Sequence, residues 1–128
     1  AEVVLRAHLP GAFIDSAGTG NWHVGNPPHG PAIAAAKARG HDLTALRARQ
    51  VRDADFHDFD LILAMDRANL ADLRRLAARV GGTARLALFR EPTGGGDVPD
   101  PYYTDDYDGA LDLIETAAAG WAARLEPA

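Results

Sequence analysis

The residues best suited to chemistry in this sequence form a short run, Asp100-Pro101-Tyr102-Tyr103. A proline fixes its own φ near about −65° and biases the residue before it toward extended backbone, so Asp100 stands at a defined turn. A carboxylic acid beside aromatic surface can have a raised pKa and donate a proton to a leaving oxygen. Two adjacent tyrosines can wall a pocket for a flat ring. From these residues alone, an ordinary turn ahead of a capped helix is the simpler account. Trp22 lies in a loop, outside any periodic segment, and is either a second aromatic wall or a residue packed on its own domain. Asp66 and Asn69 open the helix that follows the strongest strand signal, the end of an α/β sheet at which ligands bind. Capping of that helix by Asp66 is compatible with such a role.

Other chemistries fit poorly. The chain has no cysteine, which excludes disulfides, cysteine-based zinc sites and a thiol nucleophile within its 128 residues. Thr104, Asp106, Asp108, Gly109 and Glu115 follow the spacing of a calcium loop. The first position is Thr rather than Asp, however, and the Pro-rich run before it cannot be an entering helix; an acidic helix N-terminus explains the same residues. Gly20 and Gly25 have nucleotide-loop spacing, but Asn26-Pro27 replaces the Lys-Ser/Thr pair. Ser16 lacks the first glycine of a nucleophile elbow. His8, His23, His29, His41 and His57 show no ligand pairing at helical spacing. Neither a metal nor a cofactor is expected.

The elements that must position these residues alternate. Ala1 to Leu9 reads as a short helix stopped by Pro10-Gly11, Ala12 to Ser16 as a strand, and Ala17 to Pro31 as a Gly/Pro loop. Pro31 starts a helix that Gly40 stops, and Thr44 to Val51 reads as another short helix. Phe59 to Met65 is apolar almost without alternation, which suits a strand covered on both faces of a parallel sheet. A helix with Leu70, Leu73, Leu76 and Ala77 at helical spacing follows, then Gly81-Gly82 and a strand from Ala84 to Phe89. Tyr107, Leu111, Ile114, Ala118, Trp121 and Leu125 mark a final amphipathic helix. The expected fold is one domain over residues 1–128, a three-layer α/β/α arrangement around a parallel sheet.

Composition agrees with a globular domain: 47% hydrophobic, 24% charged and a formal charge of −5. The acidic balance argues against nucleic acid and anionic membranes as partners, and no apolar run approaches the ~18 residues of a membrane span. The chain reads as soluble and cytoplasmic.

Together these segments resemble the low-molecular-weight protein-tyrosine phosphatases from the first residue to the last. Ile14-Asp15-Ser16-Ala17-Gly18-Thr19-Gly20 is similar to the family's second strand and following loop, which Trp22-His23-Val24-Gly25 continues. Ala48-Arg49-Gln50, residues 60–73 and Asp100-Pro101-Tyr102-Tyr103 match further segments in order. The resemblance implies that Asp100 is the general acid that protonates the tyrosyl leaving group and later the base that activates water. It implies that Trp22, Tyr102 and Tyr103 border the phenol ring, and that Ser16, Asp66 and Asn69 support the phosphate loop. A phosphotyrosine protein or small aryl phosphate is the implied substrate, without a metal.

One departure from the family is severe. Its first strand leads into Cys-x5-Arg, which supplies the nucleophile and phosphate cradle, and neither strand nor motif occurs here. The family's first strand is central, between Ala12–Ser16 and Phe59–Met65, so those segments would stand about 9.6 Å apart, twice the ~4.8 Å strand spacing. Exposed edges would then favour self-association. The chain as given is expected to be inactive, the parent protein being a phosphatase with roughly fifteen more residues, about one strand plus a loop. A pseudophosphatase acting as an interaction module is the alternative. Arsenate reduction, which also needs cysteines, ranks last because the aromatic walls favour aryl phosphate.

Overall fold

The computed structural model describes residues 1–19, 24–28, 30–99 and 104–125. Helix α1 (Glu2–His8) has its acid in the first turn and its bases in the last, and a Glu2–Arg6 ion pair of 3.0 Å spans one turn. Helix α2 (Gly30–Ala38) precedes Gly40, whose φ of +83° is the left-handed conformation that ends helices. A single turn, α3 (Asp55–Asp58), leads to β1 (Leu61–Ala64). Helix α4 (Arg67–Val80) returns the chain so that β2 (Arg85–Leu88) pairs parallel to β1, with Leu61 opposite Arg85 and Ala64 opposite Leu88. A 3-10 turn at Glu91–Thr93 and the long helix α5 (Tyr107–Leu125) complete the described elements.

The near-continuous apolar run of β1 is explained by two cores. Leu61 and Leu63 pack with Ala87 and Phe89 against Val4 of α1 and Ile114, Ala117 and Trp121 of α5. Ile62 and Ala64 turn to the opposite face, where Leu70 and Leu73 of α4 and Phe56 of α3 cover them. The period-2 alternation of a strand thus feeds apolar side chains to both layers. Trp121 is fully buried and its indole Nε1–H donates to the Phe89 carbonyl at 2.6 Å, so the largest core side chain keeps its polar atom satisfied.

Two expected elements are corrected. Ala12–Ser16 is not a strand: among the described residues the sheet has only β1 and β2, and the nearest pairing is an isolated Gly18–Gln50 bridge two residues beyond the segment. A strand needs a neighbour to take up its ladder groups, and none of the described strands adjoins it. Thr44–Val51 is not a helix either. The Asp42 carboxylate accepts from the Thr44 N–H and hydroxyl at 2.9 and 2.6 Å, making a turn. Beyond it, Ala48 and Arg49 give their carbonyls to Gly25 and Gly18, and Val51 donates to Gly18, so extended pairing uses the backbone groups a helix would need.

Candidate functional site

A groove of about 520 Å³ runs along the outer edge of β1, the edge opposite β2. Its floor is Leu61 to Ala64; Leu5 of α1 and Leu9 just after it contribute, the segment from Ala12 to Thr19 forms the facing wall, and Asn69 and Leu73 of α4 lie at one side.

Two polar assemblies hold that facing wall. Ser16 donates through Oγ to Glu2 Oε1 at 2.6 Å, and Arg6 donates to the Ile14 carbonyl at 2.6 Å, so α1 fixes residues 14–16 at two points. Glu2 is buried, and its carboxylate is satisfied by Arg6 and Ser16 together. On the other flank, the Arg49 guanidinium donates to both carboxylate oxygens of buried Asp55, at 2.9 and 3.3 Å, and through Nε to Asp15 at 3.1 Å. Burial pushes the Asp55 carboxyl up, but the Arg49 fork and the Arg52 N–H outweigh it and hold it below its ordinary 3.8. Sequence reasoning missed Glu2, Arg49 and Asp55 as organisers. Arg49 lay within the matched Ala-Arg-Gln segment, and only the fold shows which carboxylates it joins.

Of the residues singled out from sequence, Ser16 and Asn69 both line the groove. Asp66 is the N-cap of α4: its Oδ1 accepts from the Asn69 N–H at 2.7 Å, which fixes the first turn of the helix. Asp100, Trp22, Tyr102 and Tyr103 lie outside the described residues. The carboxylates of the calcium-like spacing are otherwise engaged. Asp106 accepts from the Gly109 N–H at 2.9 Å, while Asp108, Asp112 and Glu115 gather round Arg39. Among the described residues no group of three or more His, Cys, Asp or Glu side chains could hold a metal ion. No described helix is long and apolar enough to cross a membrane.

Chemically the groove offers the carboxylates of Glu2, Asp15, Asp55, Asp58 and Asp60, the Arg49 guanidinium, the Ala1 amino terminus, the Asn69 amide and the Ser16 and Thr19 hydroxyls. Ser16 Oγ is hydrogen-bonded to the Glu2 carboxylate rather than to an imidazole, the partner that activates a serine nucleophile.

Comparison with known proteins places this arrangement. Residues 1–128 match the family described as low molecular weight phosphotyrosine protein phosphatase. The chain is 39% identical over 128 residues to the low molecular weight protein-tyrosine-phosphatase YfkJ of Bacillus subtilis, covering 98% of this chain and 82% of that protein. It is 38% identical over 140 residues to a low molecular weight protein-tyrosine-phosphatase of Streptomyces coelicolor, covering 98% and 84%. Among solved structures, Vibrio vulnificus Wzb in complex with benzylphosphonate superposes with a TM-score of 0.88 at 31% identity, over 97% of this chain and 87% of that one. With the match running through every described element, the chain belongs to the low molecular weight phosphotyrosine protein phosphatase family.

Proposed function

We propose that residues 1–128 carry the substrate-facing and leaving-group side of a phosphotyrosine phosphatase and are inactive by themselves. The observation that carries this reading is a family match over the whole chain in a sequence without a single cysteine. In the parent reaction a cysteine thiolate attacks phosphorus, forming the S–P bond as the aryl O–P bond breaks. Asp100 gives its proton to the departing phenolate oxygen. The Asp100 carboxylate then takes a proton from water as that water displaces the thiolate from phosphorus. Trp22, Tyr102 and Tyr103 would flank the ring, and the benzylphosphonate held by Vibrio Wzb is an aromatic phosphonate of that shape.

Ser16, Asp66 and Asn69 act here as positioning residues. The support for this comes from the Ser16–Glu2 and Asp66–Asn69 hydrogen bonds at the groove. A general acid contributes roughly 100- to 10,000-fold, but only when a nucleophile attacks, and the larger electrostatic share belongs to a phosphate cradle. Purified residues 1–128 should therefore show no hydrolysis of p-nitrophenyl phosphate or a phosphotyrosine peptide above the buffer rate. Turnover that disappears in Asp100→Asn would overturn inactivity.

A second reading, an interaction module without catalysis, is favoured by the open groove along β1. The intact mass of the protein in its source separates the two. A mass well above 13.6 kDa with a cysteine-containing peptide supports the parent phosphatase, and 13.6 kDa supports the module.

A further inference from the structure

We propose that the solvent face of α4 is a docking stripe for a short acidic segment of a partner protein, held by Arg67, Arg74, Arg75 and Arg79. Leu70 and Leu73 turn the apolar side of α4 into the core, so positions 67, 71, 74 and 78 share the opposite side. Those positions are Arg, Ala, Arg and Ala, with Arg75 and Arg79 beside them, and all six are exposed. The alanines add no bulk between the guanidinium groups along the roughly 18 Å of helix from Arg67 to Arg79. Two of the four charges are met within the chain: Arg67 pairs with Asp97 at 3.2 Å, and Arg75 with Asp72. Among the described residues no acidic side chain pairs with Arg74 or Arg79.

Helix stability does not account for this pattern. The macrodipole explains Arg79 in the last turn but neither Arg67 at the first helical position nor Arg74 in the middle. Arg75 and Arg79 are four residues apart, a spacing at which like charges repel. The charge is also local: α4 holds four of the thirteen Lys and Arg residues and one acid, while the rest of the chain has nine basic and seventeen acidic residues. A long polyanion would run beyond α4 onto that acidic remainder, and the face carries no large apolar side chain to enter a bilayer. A segment of about six extended residues, at roughly 3.3 Å each, covers the stripe without leaving it. Its carboxylates match the guanidinium fork. Docking there requires nothing of the phosphatase reading.

The test titrates the ¹⁵N-labelled chain with a capped hexaglutamate peptide up to about 1 mM. Saturable amide shifts centred on α4 are expected, with binding severalfold weaker when ionic strength is raised about tenfold. The double variant Arg74→Glu/Arg79→Glu should bind about tenfold or more weakly with little change in its unfolding midpoint, both positions being exposed. Arg74→Lys/Arg79→Lys keeps the charge and should stay within about threefold of the parent. If charge reversal perturbs folding, Arg74→Gln/Arg79→Gln is read in its place. No saturable shift, shifts centred elsewhere, equal binding by the charge-reversed variant or equal binding of hexalysine overturns the site. A chain without dispersed amide signals in the presence of peptide does so as well, because the stripe exists only on a formed helix. Tighter binding of a single-stranded DNA hexamer or of phosphatidylserine vesicles also overturns it and assigns the stripe to nucleic acid or lipid. Concentration-dependent shifts of α4 without peptide overturn it in favour of a second copy.

Discussion

Arg49 ties together two carboxylates from different segments. Its planar fork satisfies buried Asp55, and its Nε reaches Asp15 on the groove wall. Asp55→Ala leaves that guanidinium without its main partner and the Arg52 N–H without an acceptor, and should cost about 3 kcal/mol in a urea unfolding experiment. The pH dependence follows from the depressed Asp55 pKa. Its stabilisation is complete above the ordinary 3.8 and is lost as pH falls through the lower folded value. Acid unfolding of the parent chain should therefore show a loss of stability below the ordinary carboxylate range that Asp55→Asn lacks. Asp66→Ala should cost about 1 kcal/mol through loss of the α4 cap, measured by thermal unfolding.

At the scale of elements, two junctions decide the packing. Gly82 has a φ of +99°, and a Cβ there would come within 2.4 Å of the Phe56 carbonyl oxygen, which already accepts from Thr83 and Ala84. Gly82→Ala should destabilise by about 2 kcal/mol or more, because it combines an unfavourable φ with a clash against backbone at the entry to β2. Trp121 joins α5 to the end of β2 through its bond to Phe89, and the Arg124 guanidinium lies over its ring at 5.4 Å. Trp121→Ala should cost about 3–5 kcal/mol from the cavity it opens, read from the urea midpoint. That loss should exceed the effect of Leu125→Ala, since Leu125 is exposed on the same helix.

The described residues form a layered α/β/α arrangement whose parallel sheet is covered on both faces, with α1 and α5 on one and α3 and α4 on the other. Among the described residues the groove along β1 is lined by apolar side chains together with Glu2, Asp15, Asp55, Asp58, Asp60 and Arg49.

The amino-acid sequence by itself determined the elements whose signals are local. The run from Phe59 to Met65, the spacing of Leu70 and Leu73, the cap at Asp66 and the break at Gly81-Gly82 depend on near neighbours, and β1, α4 and β2 form where those signals stand. Ordered matches over the whole chain likewise carried the family. Tertiary structure alone decided the segments whose backbone groups must find distant partners. Ala12–Ser16 has the residues of a strand but no described strand beside it, and Thr44–Val51 has helix formers but spends its groups on Gly18 and Gly25. The joining of Arg49 with Asp15, and of Glu2 with Ser16, was equally illegible, because an ion pair across 34 residues or a hydroxyl–carboxylate bond across 14 leaves no period in a sequence. Local propensity acts within a few residues, whereas a hydrogen bond or ion pair between segments exists only after the core has brought them together.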